Sequence, residues 1–192
     1  MKVNKTFFTL IVTSLSVLTA LEVVLSRFLS FSVWNQKIGF AFAATAMAGM
    51  LFGPIGGAIV GGLADFVGAL LFPIGAYFPG FTLTNALLGA LFGLFFCTLP
   101  RIRMKKQDVR LKDMLEKNVL FLGTWSVLCA VVDLTVCTLL LNTVWISVLY
   151  KTPIRELFAT RLVQCAIMLP IQVVILPFLF KLSTRLKKEF LK

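Results

Sequence analysis

The sequence contains no histidine, few charged residues and very few acidic ones. Histidine is the commonest general base and metal ligand in proteins, so its absence excludes the usual Ser–His and Cys–His nucleophile pairs. Only 14% of the 192 residues are charged and 59% are hydrophobic, whereas soluble domains average about 25% charged and about 45–50% apolar residues. The composition therefore argues against a soluble enzyme and a disordered chain, and it favours an integral membrane protein.

Long apolar stretches make up most of the chain. A helix needs about 20 mostly apolar residues to cross a bilayer core of about 30 Å, and six stretches reach or approach that length. They are Thr6–Ser30, Ile38–Phe52, Ile55–Phe72, Leu83–Leu99, Val119–Val144 and Leu157–Leu179. Only Gly53 and Pro54 separate the second stretch from the third, so the alternative is one kinked pass and five spans. Little sequence is left over, and we expect one membrane-embedded domain over residues 1–192.

The basic residues distinguish the two topologies. With six spans and a cytoplasmic N-terminus, 14 of the 19 Lys and Arg residues fall on the inner side and five on the outer side. Cytoplasmic loops of membrane proteins are enriched in these residues. Five spans would instead place Arg101–Lys117 and the C-terminal tail on opposite sides. We therefore predict an all-α membrane protein with six transmembrane helices and both termini cytoplasmic. The net charge of +11 then reflects topology rather than nucleic-acid binding.

The cysteines do not indicate a metal site. All four lie inside predicted spans and none forms a C-x-x-C pair: Cys97, Cys129, Cys137 and Cys165. Structural zinc sites usually need four Cys or His ligands at close spacing. We therefore predict neither a metal site nor a bound cofactor, and we interpret the thiols as small apolar groups.

Glycine is concentrated in one part of the chain. Twelve of the 13 glycines lie between Gly39 and Gly93. Gly57 and Gly61, like Gly89 and Gly93, are four residues apart and share a helix face, which lets two helix backbones approach closely in lipid. Tight packing within the helix bundle is one interpretation, and docking of a partner protein is the other. Glycine spacing alone does not separate them.

An aromatic segment between the third and fourth spans indicates a binding site. The segment FPIGAYFPGFTLTNA runs from Phe72 to Ala86, and its two prolines and two glycines predict non-helical backbone. Such backbone is tolerated at membrane depth only where it is buried in protein or lines a cavity. Its candidate contact groups are the aromatic rings of Tyr77, Phe78 and Phe81 and the neutral polar groups of Thr82, Thr84 and Asn85. These groups suit a planar heterocycle, although Tyr77, Trp34, Trp145 and Tyr150 are also typical of an interfacial aromatic belt.

Five ionisable residues lie within the predicted spans: Glu22, Arg27, Asp65, Asp133 and Arg161. Each costs about 2.5–3.5 kcal/mol at mid-membrane and is a candidate for function. We expect Arg27, Arg155 and Arg161 to converge on an anion from the outer side, because guanidinium matches carboxylate bidentately. The two aspartates would accept from a ligand, pair with the arginines or relay protons. The alternatives are that Arg27 snorkels to the interface and that Arg161 forms a structural ion pair with an aspartate.

Three motifs resemble a known family. AGMLFGP (Ala48–Pro54), LADFVGALLFP (Leu63–Pro73) and YFPGFTLT (Tyr77–Thr84) are similar to the substrate-binding S components of energy-coupling factor (ECF) vitamin transporters, in particular to the folate-specific members. The resemblance covers essentially the whole chain, and its motifs are specific as far as Phe96. It implies a folate pocket at the outer face of the bacterial plasma membrane, capped by the loops after the first and third helices.

The resemblance also implies roles for individual residues. It assigns Arg27 and Phe28 to one pocket wall, Arg161 to the far wall, and Asn85 to the edge of the pterin ring. Other residues are assigned to the capping loop or to supporting positions: Tyr77, Phe81 and Thr82, and Asp65, Asp133 and Trp34.

The resemblance implies partners as well. A transmembrane coupling protein would dock on a helix face of small residues, Ser16 and Ala20. Gly57 and Gly61 are further predicted docking positions. Two cytoplasmic ATPases would hydrolyse ATP, and the chain itself would not be an enzyme.

Three other functions are compatible with the residues. The chain would be an S component for another vitamin, or a structural or assembly membrane protein whose glycine faces only pack. A small membrane enzyme is the third alternative. Asp65 and Asp133 would be its only catalytic carboxylates, and they lie alone on different helices without a recognisable catalytic arrangement.

Overall fold

The computed structural model describes residues 5–33, 36–100 and 118–190, and these residues form a helical bundle. The helices are α1 (Lys5–Arg27), α2 (Ala41–Leu71), α3 (Pro79–Gly93), α4 (Val119–Asp133), α5 (Asn142–Tyr150) and α6 (Ile154–Phe190). A short antiparallel hairpin of β1 (Ser30–Val33) and β2 (Gln36–Gly39) connects α1 to α2. Two π-helical segments, Leu94–Thr98 after α3 and Leu134–Leu141 between α4 and α5, continue the helices without a break. The predicted basic loop Arg101–Lys117 lies outside the described residues.

Five helical segments of the described chain are long and apolar enough to cross a membrane. They are Phe8–Arg27, Ala41–Leu71, Pro79–Thr98, Val119–Tyr150 and Ile154–Glu189. Many large apolar side chains on them point outward: Ile55 is 76% exposed and Val174 is 73% exposed. Such a surface is stable against lipid chains, which are as apolar as leucine. The chain is therefore a helical multi-pass membrane protein.

Helix α2 reverses direction in its middle, at Gly53. This residue has φ 82° and ψ −171°, a conformation that is essentially restricted to glycine. A methyl group built on Gly57 would lie 3.0 Å from the Cα of Gly49, and one built on Gly61 would lie 3.1 Å from Cγ2 of Thr45. In a straight helix these two pairs would be about 12 and about 24 Å apart. The two halves of α2 therefore run side by side as a helical hairpin.

Glycine also brings α2 into backbone contact with α3. A methyl group on Gly57 would collide with the carbonyl oxygen of Gly89, and one on Gly61 would collide with the carbonyl oxygen of Asn85. The contact is reciprocal, because a methyl group on Gly89 would collide with the Gly57 carbonyl. Gly57 and Gly61 are thus buried inside the bundle. Their predicted role in docking a partner does not agree with this position, since the partner would first have to separate α2 from α3.

Several element boundaries differ from the sequence prediction. Helix α3 begins at Pro79 rather than Leu83, because proline is well tolerated in the first turn, where no intrahelical N–H bond is needed. Helix α6 runs from Ile154 to Phe190, beyond both ends of the predicted span Leu157–Leu179. The β-hairpin was not predicted, since its strands have only four residues each and lie mostly in the connection between the first two predicted spans.

The apolar core lies between α2, α3, α4 and α6. Its largest fully buried apolar side chains are Met50, Phe92, Leu122 and Leu176. Trp125 closes one side of it, and its indole N–H donates to the carbonyl oxygen of Phe95, 3.1 Å away. A cavity adjoins this core, and Phe42 and Met168 belong to both.

Candidate ligand-binding site

A cavity of about 410 Å³ lies between α1, α2, α3, α5 and α6. This volume is within the range of about 300–1,000 Å³ that is typical of small-molecule sites. Its mouth is bordered by the loop that joins α2 to α3, with Ile74, Gly75 and Tyr77 in the lining, and by Tyr150 at the end of α5. Its floor is bordered by Asp133 and Gln172, which belong to two different helices and are joined by a hydrogen bond.

Helix α6 supplies one wall of the cavity. Arg161, Gln164, Met168 and Gln172 all line it, and their spacing of three, four and four residues places them on one helix face. The stripe spans about 16 Å at a rise of about 1.5 Å per residue. Arg161 is only 4% exposed, and its Nη1 atom donates to Oε1 of Gln164 at 2.6 Å. Gln164 thereby orients the guanidinium group.

The opposite wall comes from the π-helical segment and α5. Leu134, Thr138, Asn142, Ile146 and Tyr150 line the cavity at intervals of four residues. Wider π-helical turns occur mostly as short insertions in α-helices, frequently at functional sites, and here the insertion spans Leu134–Leu141. It adds side chains to the wall midway between floor and mouth.

The two walls meet at the floor of the cavity. Asp133, 1% exposed, ends α4, and its Oδ2 atom accepts a hydrogen bond of 3.0 Å from Nε2 of Gln172, which is 2% exposed. Glu22 of α1 also lines the cavity; it is 6% exposed and accepts a hydrogen bond from the hydroxyl of Thr45, in the first turn of α2. The floor therefore pairs one carboxyl group with one carboxamide.

Arg27 lies closer to the mouth than Glu22, because it is five residues further along α1. Its guanidinium group packs on Gly68 of α2, where a methyl group would lie 2.8 Å from Nε. The Nε atom is buried and has no hydrogen-bond partner among the described residues. Glycine at position 68 thus makes room for a cation at the cavity wall.

Aromatic packing anchors the loop at the mouth. The ring of Phe78 lies 5.6 Å from that of Trp145 and 6.0 Å from that of Phe81, measured between centroids. The indole N–H of Trp145 donates to the hydroxyl of Thr84 at 3.0 Å, which joins α5 to α3. Gly80 permits this packing, since a methyl group there would lie 2.6 Å from the Trp145 ring. The loop is therefore fixed at its α3 end.

A second polar contact connects the loop to α2. The hydroxyl of Thr82 donates to Oδ2 of Asp65 at 2.7 Å, and the hydroxyl of Tyr77 lies 3.3 Å from the same Thr82 oxygen. Tyr77 is 46% exposed, and its ring packs edge-on against Phe66 at a centroid distance of 6.0 Å. Tyr77 and Asp65 both line the mouth of the cavity.

Most of the predicted site residues come together in this cavity. Its lining includes Arg27, Tyr77, Phe81, Asn85 and Arg161, together with the supporting residues Asp65 and Asp133.

The other predicted residues lie elsewhere. Thr82 does not line the cavity and contacts Asp65 instead. Phe28 is 64% exposed and packs against Phe72, and Arg155 is exposed on the first turn of α6. Direct ligand contact by these three residues does not agree with their positions. Trp34 lies outside the described residues.

Sequence reasoning missed several polar lining residues: Gln164, Gln172, Asn142, Thr138 and Tyr150. The two glutamines could have been recognised from the sequence. They are uncharged polar side chains in an apolar span and share a helix face with Arg161, and such side chains are expected to point into the bundle. Asn142 and Thr138 carried no comparable signal, since the π-helical turns change which residues share a face.

The charges are unevenly distributed along the cavity. Arg161 lies roughly 16 Å from Gln172 along α6, and Arg27 is also displaced from the floor toward the mouth. Asp133 lies at the floor, Asp65 lines the mouth, and Glu22 contacts Thr45 in the first turn of α2. Groups of three or more His, Cys, Asp or Glu residues that would hold a metal ion are not found in the described ranges. The arrangement suits noncovalent binding of an elongated molecule with an aromatic part and an anionic part.

Comparisons with known proteins agree with such a site. The family model for the substrate-specific component of ECF transporters matches residues 10–180. The chain is 39% identical over 167 residues to a protein named Folate transporter FolT from Clostridium novyi (strain NT), covering 87% of this chain and 86% of that protein. It is 29% identical over 185 residues to a Folate transporter FolT from Leuconostoc mesenteroides, covering 92% of this chain and 89% of that protein.

A solved structure described as FolT bound with folic acid has the same fold. It matches with a TM-score of 0.71 and 30% sequence identity, covering 88% of this chain and 90% of that one. The likeness therefore extends over the whole bundle rather than one motif.

Proposed function

The chain belongs to the family of substrate-specific components of ECF transporters, and from this premise we propose that it binds folate in the cavity between α1 and α6. The cavity is the observation that carries the proposal. It combines two arginines, Arg27 and Arg161, with aromatic rings at the mouth and amide groups along its walls. Two relatives are named as folate transporters, and the matched structure contains folic acid.

Folate has the chemistry that these residues can recognise. Its pterin and aminobenzoyl rings are flat and can pack against Tyr77 and Phe81. Its glutamate has two carboxylates, which guanidinium groups bind with charge-assisted hydrogen bonds. Asn85 offers a carboxamide that can both donate and accept at the edge of a ring. A neutral vitamin offers no carboxylate to either arginine, so the S component of a neutral vitamin fits these residues less well.

Titration of the purified protein with folic acid tests this proposal. We expect Arg161→Ala and Asn85→Ala each to weaken binding at least about tenfold, since removal of a desolvated hydrogen-bonding partner costs about 1–3 kcal/mol. Arg185→Ala is the matched control, because Arg185 is exposed on the same helix far from the cavity. Unchanged affinity in both cavity variants, or equal binding of a neutral vitamin in competition, would refute the assignment.

We also propose six membrane crossings with both termini cytoplasmic. The side-by-side halves of α2 support this count, since each half then forms one crossing. The excess of Lys and Arg on the proposed inner side supports the orientation. Fusions of a cytoplasmic and a periplasmic reporter to the C-terminus test it: activity of only the cytoplasmic reporter is expected, and activity of only the periplasmic one contradicts it.

The proposed transport reaction needs partner proteins. We propose that a membrane coupling protein and two cytoplasmic ATPases drive folate uptake with ATP, and that this chain carries no cofactor of its own. Ser16 and Ala20 are exposed, four residues apart on α1, and form a small docking face. Ala20→Trp should abolish uptake in cells but leave folic acid binding by the purified protein unchanged. Loss of both would point to misfolding, and loss of neither would remove α1 from the docking face.

A further inference from the structure

One face of α6 is exposed over most of the length of the helix. Large apolar side chains lie along it at spacings of four and seven residues, with exposed fractions from 42% to 73%: Val163, Ile167, Val174 and Phe178. Residues at such spacings share a helix face. Helix–helix interfaces in membranes are instead enriched in small residues. This face therefore suits contact with lipid chains better than contact with another helix.

The same face becomes basic at the end of α6 that is distant from the cavity mouth. Lys181, Arg185 and Lys188 follow Phe178 at steps of three, four and three residues, and all three are exposed. They therefore continue the apolar face along the helix. We call these three residues the basic row.

Two other charged side chains lie close to the basic row. Lys187 is half-buried, and its Nζ atom lies 4.0 Å from Sγ of Cys97 on the segment after α3, so it is directed into the bundle. Glu189 is exposed in the last turn and is the only acidic residue between Lys181 and Phe190. The basic row thus combines three exposed cations with a single carboxylate at its end.

The spacing of charges along α6 gives the depth of the basic row in the membrane. Nineteen uncharged residues separate Arg161 from Lys181, so the two charges are about 30 Å apart at a rise of about 1.5 Å per residue. The hydrocarbon core of a bilayer is also about 30 Å thick. Lys181 therefore lies at the boundary between acyl chains and head groups, and Arg185 and Lys188 lie at the level of the head groups.

We propose that the basic row and the apolar face beside it form a binding site for an anionic phospholipid. The lipid phosphate contacts Lys181 and Arg185 through charge-assisted hydrogen bonds, and an acyl chain packs along Phe178 and Val174. A zwitterionic lipid carries a cation beside its phosphate, and the basic row repels this cation. In the proposed topology the row faces the cytoplasmic leaflet, whose anionic lipids attract basic segments close to the membrane.

Lipid binding by the purified full chain in detergent tests this site, with bound lipids counted by native mass spectrometry. Phosphatidylglycerol and phosphatidylcholine with identical acyl chains are compared. We expect the wild type to bind phosphatidylglycerol about tenfold or more tightly, since each Lys or Arg near an anionic surface contributes roughly fivefold. Lys181→Gln/Arg185→Gln should abolish this preference. Equal binding of the two lipids by the wild type would overturn the site.

Lys151→Gln/Arg155→Gln is the matched control, because it removes two exposed charges at the other end of α6. It should keep the preference for phosphatidylglycerol, and an equal loss in both double variants would show that net charge rather than a site attracts the lipid. Lys181→Arg/Arg185→Lys retains both charges and should also keep the preference. Its loss in that variant would contradict recognition by charge. Titration with folic acid confirms that each variant is folded.

Two further measurements separate a lipid from other occupants. Inorganic phosphate in excess, at constant ionic strength, should not displace phosphatidylglycerol, because it has no acyl chain; displacement would indicate a simple anion site. Phe178→Ala should weaken phosphatidylglycerol binding severalfold, and an unchanged affinity would contradict acyl-chain packing on this face. Unchanged lipid binding by Lys181→Gln/Arg185→Gln, together with lost folate uptake in cells, would assign the basic row to a protein partner instead.

Discussion

Two regions of the molecule build the same cavity in opposite ways. One is the α2–α3 pair, and the other is the part of the chain from α4 through α6, called the α4–α6 wall. In the α2–α3 pair, glycines bring backbone against backbone, and a single added methyl group at Gly57 or Gly89 would collide with a carbonyl oxygen. In the α4–α6 wall, long side chains meet across a wider gap, and hydrogen bonds such as that between Gln172 and Asp133 join the helices. The first pair supplies a rigid surface, and the second supplies the polar groups that select a ligand. Substitutions in the two regions should therefore affect different properties.

The largest effect is expected in the α2–α3 pair. Gly89→Ala forces a methyl group into the backbone of Gly57, and overpacking of this kind costs about 1–3 kcal/mol or more. We expect a large drop in the thermal unfolding midpoint of the purified protein, or loss of folded protein from the membrane. The control is Gly123→Ala on α4, where a methyl group meets no atom within 4 Å. A similar loss in both variants would mean that general helix effects, and not the close contact, determine stability.

A smaller effect, on binding rather than stability, is expected in the α4–α6 wall. Gln164→Leu removes the acceptor that orients Arg161, and hydrogen bonds to charged groups contribute about 1.5–3 kcal/mol. Folic acid affinity should fall about tenfold while the unfolding midpoint changes little. Gln164→Glu keeps an acceptor for the guanidinium and should retain most of the affinity. If Gln164→Leu lowers stability as much as Gly89→Ala does, the contrast between the two regions fails.

The smallest effect is expected where the two regions meet. Trp145→Phe keeps an aromatic ring against Phe78 but removes the hydrogen bond to Thr84, which is worth about 0.5–1.5 kcal/mol. Thr84→Val removes the same bond and also the bond from its hydroxyl to the Gly80 carbonyl, so the loss of stability in the double variant should be smaller than the sum of the two single losses. Chemical denaturation in detergent measures all three. Additive losses would show that the two side chains act independently.

Sequence reasoning identified the charged and aromatic residues of the cavity but missed its two glutamines on α6. Arg27, Tyr77 and Arg161 were recognisable because charges and proline-flanked aromatic residues are unusual inside apolar spans. Gln172 was not recognised. A neutral amide in a long helix indicates a site only when the helix face on which it lies and its partner, here Asp133, are known. Phe28 was assigned to the pocket wall by the family resemblance, and Arg155 as one of three arginines expected to converge from the outer side. Neither argument determines the direction of a side chain.

The glycine spacing led to two predictions, close approach of helices and docking of a partner, and the structure agrees only with the first. Four-residue spacing correctly indicated close helix approach, because it depends only on helical periodicity. It gave no information about whether the neighbouring helix belongs to this chain or to a partner. Only the position of Gly89 and Asn85 against α2 assigned Gly57 and Gly61 to the interior.

The sequence by itself determined the class of the protein and the chemical types available to its site. Apolar length, the placement of Lys and Arg, and the absence of histidine depend on composition and order alone, so they can be recognised in an unfolded chain. The tertiary structure decided which of these groups meet: the two halves of α2 at the reversal at Gly53, Gln172 with Asp133, and Arg27 with Arg161 in the lining of one cavity. These features depend on how each helix is rotated and packed against its neighbours, and packing is a property of many residues that are distant in the sequence.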